Sequence, residues 1–473
     1  MKKIAPTQSL MKSLKIFALV ASLMLPLIAG GQDKKPFFKP GKRADRVRDA
    51  GQGQDSALVA GQSPDSILIE IQQQDTAQVA AQERDSVFIE GQQPDSVPIS
   101  GHQADSVLIA GQQADTVLTL LFTGDIMGHD GQIAAALNDS TGTYEYDSVF
   151  KYISPLIAGA DVAIGNLEVT LGGAPYKGYP AFSSPDALAV ACKNAGFDIL
   201  VTANNHSADR GTKGLVRTIR VLDSLDIRHT GTWISSESRD SLLPLMISHD
   251  SMQLALLGYT YGTNGIVVPP PAIVSYIDTV RAAAEIKRSI DAGADKTIIF
   301  IHWGTEYDTL PDLQQKKTAA ALLRSGADII IGSHPHVIQP MIADTDSCGY
   351  INPVVWSMGN FVSNQRTRRR DGGAMIRLDL KVRGDTAFIS DAGYVLTWVY
   401  TPTEEGKRKF YILPCAAFEN LPEFFQSPSQ YEAMMVFIRD ARRLLDSLNK
   451  GFREMTYSQG NWIRLEREPV SLN

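Results

Sequence analysis

Cysteine is scarce in this chain. Cys192, Cys348 and Cys415 are the only three among 473 residues, too few and too scattered for a disulfide framework or a thiolate zinc site. Cys192 sits among helix formers and reads as a small core residue. A bridge between Cys348 and Cys415 is conceivable in an oxidising compartment, but nothing in the sequence calls for it. Positive charge is not in excess either. A net charge of -7 and a pI near 5.7 argue against a broad nucleic-acid-binding surface. The apolar run at residues 16–29, broken by Pro26, falls short of the ~20 residues that span a membrane. It follows Lys12 and Lys15 and ends at Ala29, Gly30 and Gly31, which is the order of a secretory signal. Export is therefore expected, with Met11 a second candidate start, cleavage placed before Gln32 and an uncleaved membrane anchor as the alternative. No cysteine lies near this segment, which removes the simplest lipoprotein reading.

What is present begins, after a polar linker at 32–50, with a repeat. Residues 51–116 fall into ten-residue units such as GQSPDSILIE and GHQADSVLIA, with Asp at 55, 65, 75, 85, 95, 105 and 115, each followed by Ser or Thr. A fixed period usually means stacked structural units. Each unit here offers few apolar residues beside a Gln-rich remainder, so a flexible or extended stalk is expected over a small β-array. The acidic and glycine spacing of calcium loops is absent.

From residue 117 the character changes. Candidate strands at 117–123, 160–164, 198–202, 253–257, 297–301, 328–331 and 354–357 alternate with helical patterns at 187–194, 213–224, 279–291 and 311–325. Ser184-Pro185-Asp186 reads as cap, first-turn proline and early acid, and Gly196 is placed to stop that helix. Such alternation predicts an α/β domain with much parallel pairing over 117–380. Residues 381–473 read as an α+β extension.

The residues just after each strand carry the chemistry. They are Gly124-Asp125, Asn166-Leu-Glu168, Asn204-Asn-His206, His302-Trp-Gly304 and Gly332-Ser-His-Pro-His336. Loops at the carboxyl ends of parallel strands meet at one edge, so carboxylates, amides and imidazoles would converge there. Half of the eight histidines lie in this set. His334 and His336, two apart in an extended segment, would present both rings on one side. Mixed oxygen and nitrogen ligands suit zinc, manganese or iron, as one or two ions. Each residue alone has a plainer use as a cap, a turn or a satisfied core histidine; together those uses explain less. Arg366 and Arg370, in the Arg-rich loop after Asn360-Phe361, would favour an anionic substrate if that loop covers the site.

This ordered set, with Gly124-Asp-Ile-Met127 and Ser357-Met-Gly-Asn-Phe361, resembles the capsule-synthesis CapA family, which includes poly-gamma-glutamate synthesis proteins and is related to calcineurin-like metallophosphoesterases. The likeness covers about residues 118–365. It implies a sandwich of two β-sheets flanked by helices, with a metal site at the strand ends. Carried over by position, it implies Asp125, Glu168, Asn205, His302, His334 and His336 as metal ligands, with His206 either a further ligand or the general acid. His206 and His302 are then the catalytic candidates, and Asn204, with Arg366 and Arg370 of the Arg-rich loop, the candidates for substrate. Met127 stands where the phosphoesterase motif has histidine, with His129 as a substitute. Asn166 replaces the usual bridging aspartate, which leaves Glu168 to bridge. Two functions follow as expectations. One is an exported, cell-envelope hydrolase using a divalent metal on an anionic polymer or phosphoester. The other is a non-catalytic polymer-binding or export component on the same fold, working beside membrane-bound synthesis or export proteins.

Overall fold

The computed structural model describes residues 117–343, 351–384 and 386–467. The expected signal, linker, decapeptide repeats and Cys348 lie outside these residues. Four strands, β1 (Val117–Ile126), β2 (Val162–Leu167), β3 (Ile199–Val201) and β4 (Arg228–Thr230), run parallel as neighbours. The short pair β5 (Thr232–Trp233) and β8 (Ile273–Val274) lies apart from them. A second sheet of six strands contains β6 (Leu245–His249), β7 (Met252–Thr260), β9 (Lys296–His302), β10 (Ile329–Ser333), β11 (Met341–Ile342) and β12 (Val354–Val355). Its order is β11-β12-β10-β9-β7-β6, with β7, β9, β10 and β12 parallel.

The remaining strands return to the first sheet. β13 (Asn360–Val362) pairs parallel to the end of β1, and β14 (Gly372–Arg383) runs antiparallel to it. β15 (Thr386–Tyr400) pairs antiparallel along β14, the small hairpin of β16 (Thr403–Glu404) and β17 (Lys407–Arg408) intervenes, and β18 (Tyr411–Pro414) pairs with β15. β19 (Arg453–Ser458) and β20 (Asn461–Arg464) then complete a ten-stranded sheet. β14 crosses residue 380, and β15, β18, β19 and β20 beyond it are part of the same sheet.

Side-chain alternation explains the stacking. Ile298 and Phe300 of β9 join Leu118, Leu120 and Phe122 of β1 and Ile329 and Ile331 of β10 in one buried cluster between the sheets. Ile299, Ile301 and Ile330 point the other way and meet Ala282, Ile286, Ala319 and Leu322 from helices Thr279–Asp291 and Leu313–Arg324. Leu121, Ala163 and Leu200 cover the outer face of the first sheet with Leu188, Ala189 and Cys192 of helix Ala187–Ala195. Strands buried on both faces must be apolar at every position, which is why these segments read as continuous runs. Each fully buried Ile, Leu or Phe contributes roughly 1.5–3 kcal/mol. The architecture is the expected sandwich of two sheets flanked by helices.

Helix starts are capped as their sequences suggest in two cases. Asp278 accepts the N–H of Val280 at 2.9 Å and of Arg281 at 3.1 Å, and Asp312 accepts that of Gln315 at 2.7 Å. Ser184 does not cap its helix. Asp186 occupies that position without a side-chain cap and pairs instead with Arg217 at 2.6 Å, while Gly196 ends the helix at φ 106° as read. Cys192 and Cys415 are buried free thiols.

Candidate metal centre

Register brings the strand ends to one place. Asp125 lies opposite Asn166 of β2 and Asn360 of β13, and His302, the last residue of β9, lies opposite Ser333 of β10. Asp125, Glu168 and His302 are fully buried, and His334 and His336 nearly so. Both of the last two hold left-handed backbone, at φ 101° and 58°, a conformation that costs non-glycine residues about 1–3 kcal/mol and clusters at functional sites.

Asn166 organises the floor: its Nδ2 donates to Asp125 Oδ1 at 2.7 Å, and its Oδ1 accepts from Asn204 Nδ2 at 3.2 Å. Asn204 also donates to the carbonyl of Leu167 at 2.8 Å, so it supports the floor from within the buried layer. His302 Nδ1 lies 3.0 Å from Ser333 Oγ, and its Nε2 lies 2.8 Å from Asn205 Oδ1. Glu168 Oε1 is 3.4 Å from His302 Nε2 and 4.0 Å from His336 Nε2, and His336 Nδ1 is 3.2 Å from Asp125 Oδ2. Among the described residues, three groups of ligand atoms lie within 4.8 Å of one another: Asp125, Glu168 and His336; Glu168, His302 and His334; and Glu306, His334 and His336. Glu168 belongs to two of them, as a bridging carboxylate would.

The electrostatics show what the cluster lacks. Neither oxygen of Glu168 receives a hydrogen bond, and His334 Nδ1 has no partner. A buried ionised carboxylate without partners is costly by several kcal/mol. Burial therefore drives the Glu168 carboxyl well above its ordinary value, and the neighbouring Asp125 charge adds to this. Burial pushes Asp125 the same way, but the hydrogen bond and charge of His336 outweigh it and hold that carboxyl below its usual range. Burial lowers the His302 imidazole to about 3 and His334 well below the usual value. Neutral imidazoles, one of them with an unpartnered nitrogen at His334, beside an unsatisfied carboxylate fit a divalent cation.

Other expected residues lie elsewhere. His206 is outside the three groups; its Nδ1 is 2.7 Å from Asp209 Oδ2, and its ring meets the edge of Phe182 at 4.6 Å. His129 is also outside them, accepting the backbone N–H of Asn364 at 3.3 Å. Met127 is buried in the core of the first sheet. Arg370 stands 4.0 Å over the ring of Tyr307, which in turn stacks 6.1 Å from His336, and so reaches the rim. Arg366 turns away, 5.1 Å over Trp398. Arg368 and Arg369 pair with Asp440 of helix Pro428–Leu448 at 2.5 and 3.3 Å. Sequence reading passed over Ser333, Asp209, Tyr307 and Glu306; of these only Asp209, three residues after His206, carried a local signal as a partner for that ring.

The fold and this cluster define a two-sheet α/β protein with a buried group of candidate metal ligands at its strand ends. Residues 119–365, just over half of the chain, match the family described as bacterial capsule synthesis protein PGA_cap, and the chain belongs to that family. Among relatives, it is 29% identical over 278 residues to the capsule biosynthesis protein CapA of Bacillus anthracis, covering 56% of this chain and 65% of that protein's length. It is 29% identical over 294 residues to the PGA biosynthesis protein CapA of Bacillus subtilis, covering 57% and 70%. Solved structures with some likeness include the Haemophilus influenzae NAD nucleotidase, at TM-score 0.40, 14% identity and coverage of 73% and 65%. The calcineurin-like phosphoesterase YfkN of Bacillus subtilis matches at TM-score 0.35 and 14% identity, covering 68% of this chain and 99% of that one.

Proposed function

We propose that this is an exported, envelope-located hydrolase of capsule or poly-gamma-glutamate type polymer synthesis, dependent on zinc, manganese or iron. Its substrate on this reading is an anionic polymer or phosphoester, handled beside membrane-bound synthesis or export proteins. The observation that carries the reading is Glu168, buried with both oxygens unsatisfied between two groups of imidazole ligands. Asp125, Glu168 and His336 would hold one ion, and Glu168, Asn205, His302 and His334 a second. When bound, such ions polarise the scissile bond and acidify water.

The chain's own groups do the rest. For His302 to ligate through Nε2, its proton must sit on Nδ1, where Ser333 Oγ at 3.0 Å can accept it. His206 donates Nδ1–H to Asp209 and is thereby oriented with Nε2 as the atom that protonates a leaving group. Arg370 and Tyr307 at the rim would receive the anionic part of the substrate.

The test is release of the chromophore from a chromogenic phosphodiester, and of amine from polyglutamate, with each metal. His302→Ala should abolish turnover together with metal content. His206→Ala should lower turnover about a hundredfold or more while metal content stays. The buried Met127 and the amide of Asn166 favour a second reading, a polymer-binding component that retains the pocket. Polyglutamate binding without turnover under any metal would select it.

A further inference from the structure

Glu306 lies four residues beyond His302 in an exposed loop, away from the strand ends that supply the other ligands. Its carboxylate nevertheless lies within 4.8 Å of the ligand atoms of both His334 and His336. The placement is built. Gly304 adopts φ 96°, and a Cβ there would come within 2.7 Å of Gln315, so the loop turns where only glycine fits. Tyr307 N–H donates to the carbonyl of Pro335 at 2.8 Å. Gln339, fully buried, donates through Nε2 to the carbonyls of Asp308 at 2.8 Å and Leu310 at 3.2 Å, and its own Oε1 accepts from Gln315 at 2.9 Å. The loop carrying Glu306 is thus stitched to the one carrying His334 and His336 at residues 307, 308 and 310, immediately after the acid.

A second observation points to a ligand. His334 is nearly fully buried, and its Nδ1 has no hydrogen-bond partner although Glu306 is close by. A neutral imidazole lone pair and a carboxylate, both acceptors, do not satisfy each other; they share a cation.

We propose that Glu306 is a solvent-side ligand to the ion that His334 serves, within reach of the one that His336 serves, an inference that rests on the metal-centre reading above. Placed on the outer side of that ion, its carboxylate leaves coordination positions open beside it. Because Glu306 is exposed while both histidines are buried, those positions face solvent, where a substrate oxygen enters. Glu306 would then be the ligand that yields when an anionic substrate arrives.

The experiment is Mn2+ binding to the full chain, followed by calorimetry and by the electron paramagnetic resonance of the bound ion. Glu306→Gln and Glu306→Ala are compared with His302→Ala, at about 0.05 M and about 0.5 M salt. A purely through-space effect of a mouth carboxylate fades at the higher salt, where the screening length shrinks to a few ångströms. A lost ligand does not. The expected result is Mn2+ binding at least about tenfold weaker in both Glu306 variants at both salts, a changed resonance of the bound ion and an unchanged thermal midpoint of the metal-free protein. Wild-type affinity in both variants, or a deficit that vanishes at high salt, overturns the inference while leaving the inner centre standing if His302→Ala is defective. Failure of the wild-type chain to bind Mn2+ overturns both.

Discussion

Glu168 is the residue on which the site's proton balance turns. Burial and the Asp125 charge raise its carboxyl well above the ordinary value, whereas burial lowers the imidazoles of His302 and His334. Below that raised value, a cation entering the cluster displaces a proton from Glu168 and none from those two histidines. Loading should release about one proton per Glu168 and strengthen as pH rises toward and above that raised value. Calorimetry in buffers of different ionisation enthalpy should detect this proton in the wild type and not in Glu168→Gln. The same variant, freed of a buried unpartnered carboxyl, should keep or raise the thermal midpoint of the metal-free protein. Equal proton release in both proteins would place the titrating group elsewhere. Most of these residues were legible because each follows a strand directly. Asn166 was legible too, as an amide in the place of a bridging aspartate that leaves Glu168 to bridge; what the sequence did not show is that Asn166 holds Asp125 while Glu168, two residues on, enters two ligand groups.

Strands were read more surely than what lies between them. A run such as residues 297–301 reads as a strand buried on both faces, and the helices found at 279–291 and 313–324 showed in the spacing of their apolar residues, with the caps Asp278 and Asp312 seen only in the structure. Loops are decided by contacts distant in sequence. Arg366 belonged, by its neighbours, with an anion-binding loop; Trp398, delivered by β15, takes it instead. Glu306 approaches the histidines only because Gly304 and Gln339 bend and hold its loop. The Arg-rich loop is itself anchored by Asp440, whose carboxyl is lowered despite burial by the hydrogen bond and charge of Arg368. Arg368 is largely exposed, so solvent screens the pair and the anchor contributes little to stability. Asp440→Asn should leave global stability nearly unchanged yet speed amide exchange across 364–370. Unchanged exchange there would show that the backbone of the loop holds without it.

At the scale of the whole molecule, the described residues do not divide at 380. β15 pairs with β14 from Gly372 to Arg383, and β18, β19 and β20 build on β15. A chain ending at residue 380 would cut β14 short and leave it as a long, apolar, unpaired edge. Such a truncation should aggregate or unfold, read by light scattering and circular dichroism; a soluble monomer with the native spectrum would mean that residues 117–380 suffice. Composition hinted at β-structure in this tail, but no local signal says that its strands extend a sheet begun 250 residues earlier, because pairing partners are set by topology and not by period. Among the described residues no helix is long and apolar enough to cross a membrane.

The position of β1 has a mechanical side. The described body begins with β1, which pairs with β14 over residues 117–122 on one side and with β2 over residues 120–126 on the other, Asp125 lying near its far end. Tension applied at Val117 along the strand would load both ladders in shear instead of opening them bond by bond like a zipper. If β1 slipped along its axis under such a load, the first candidate ligand to be displaced would be Asp125.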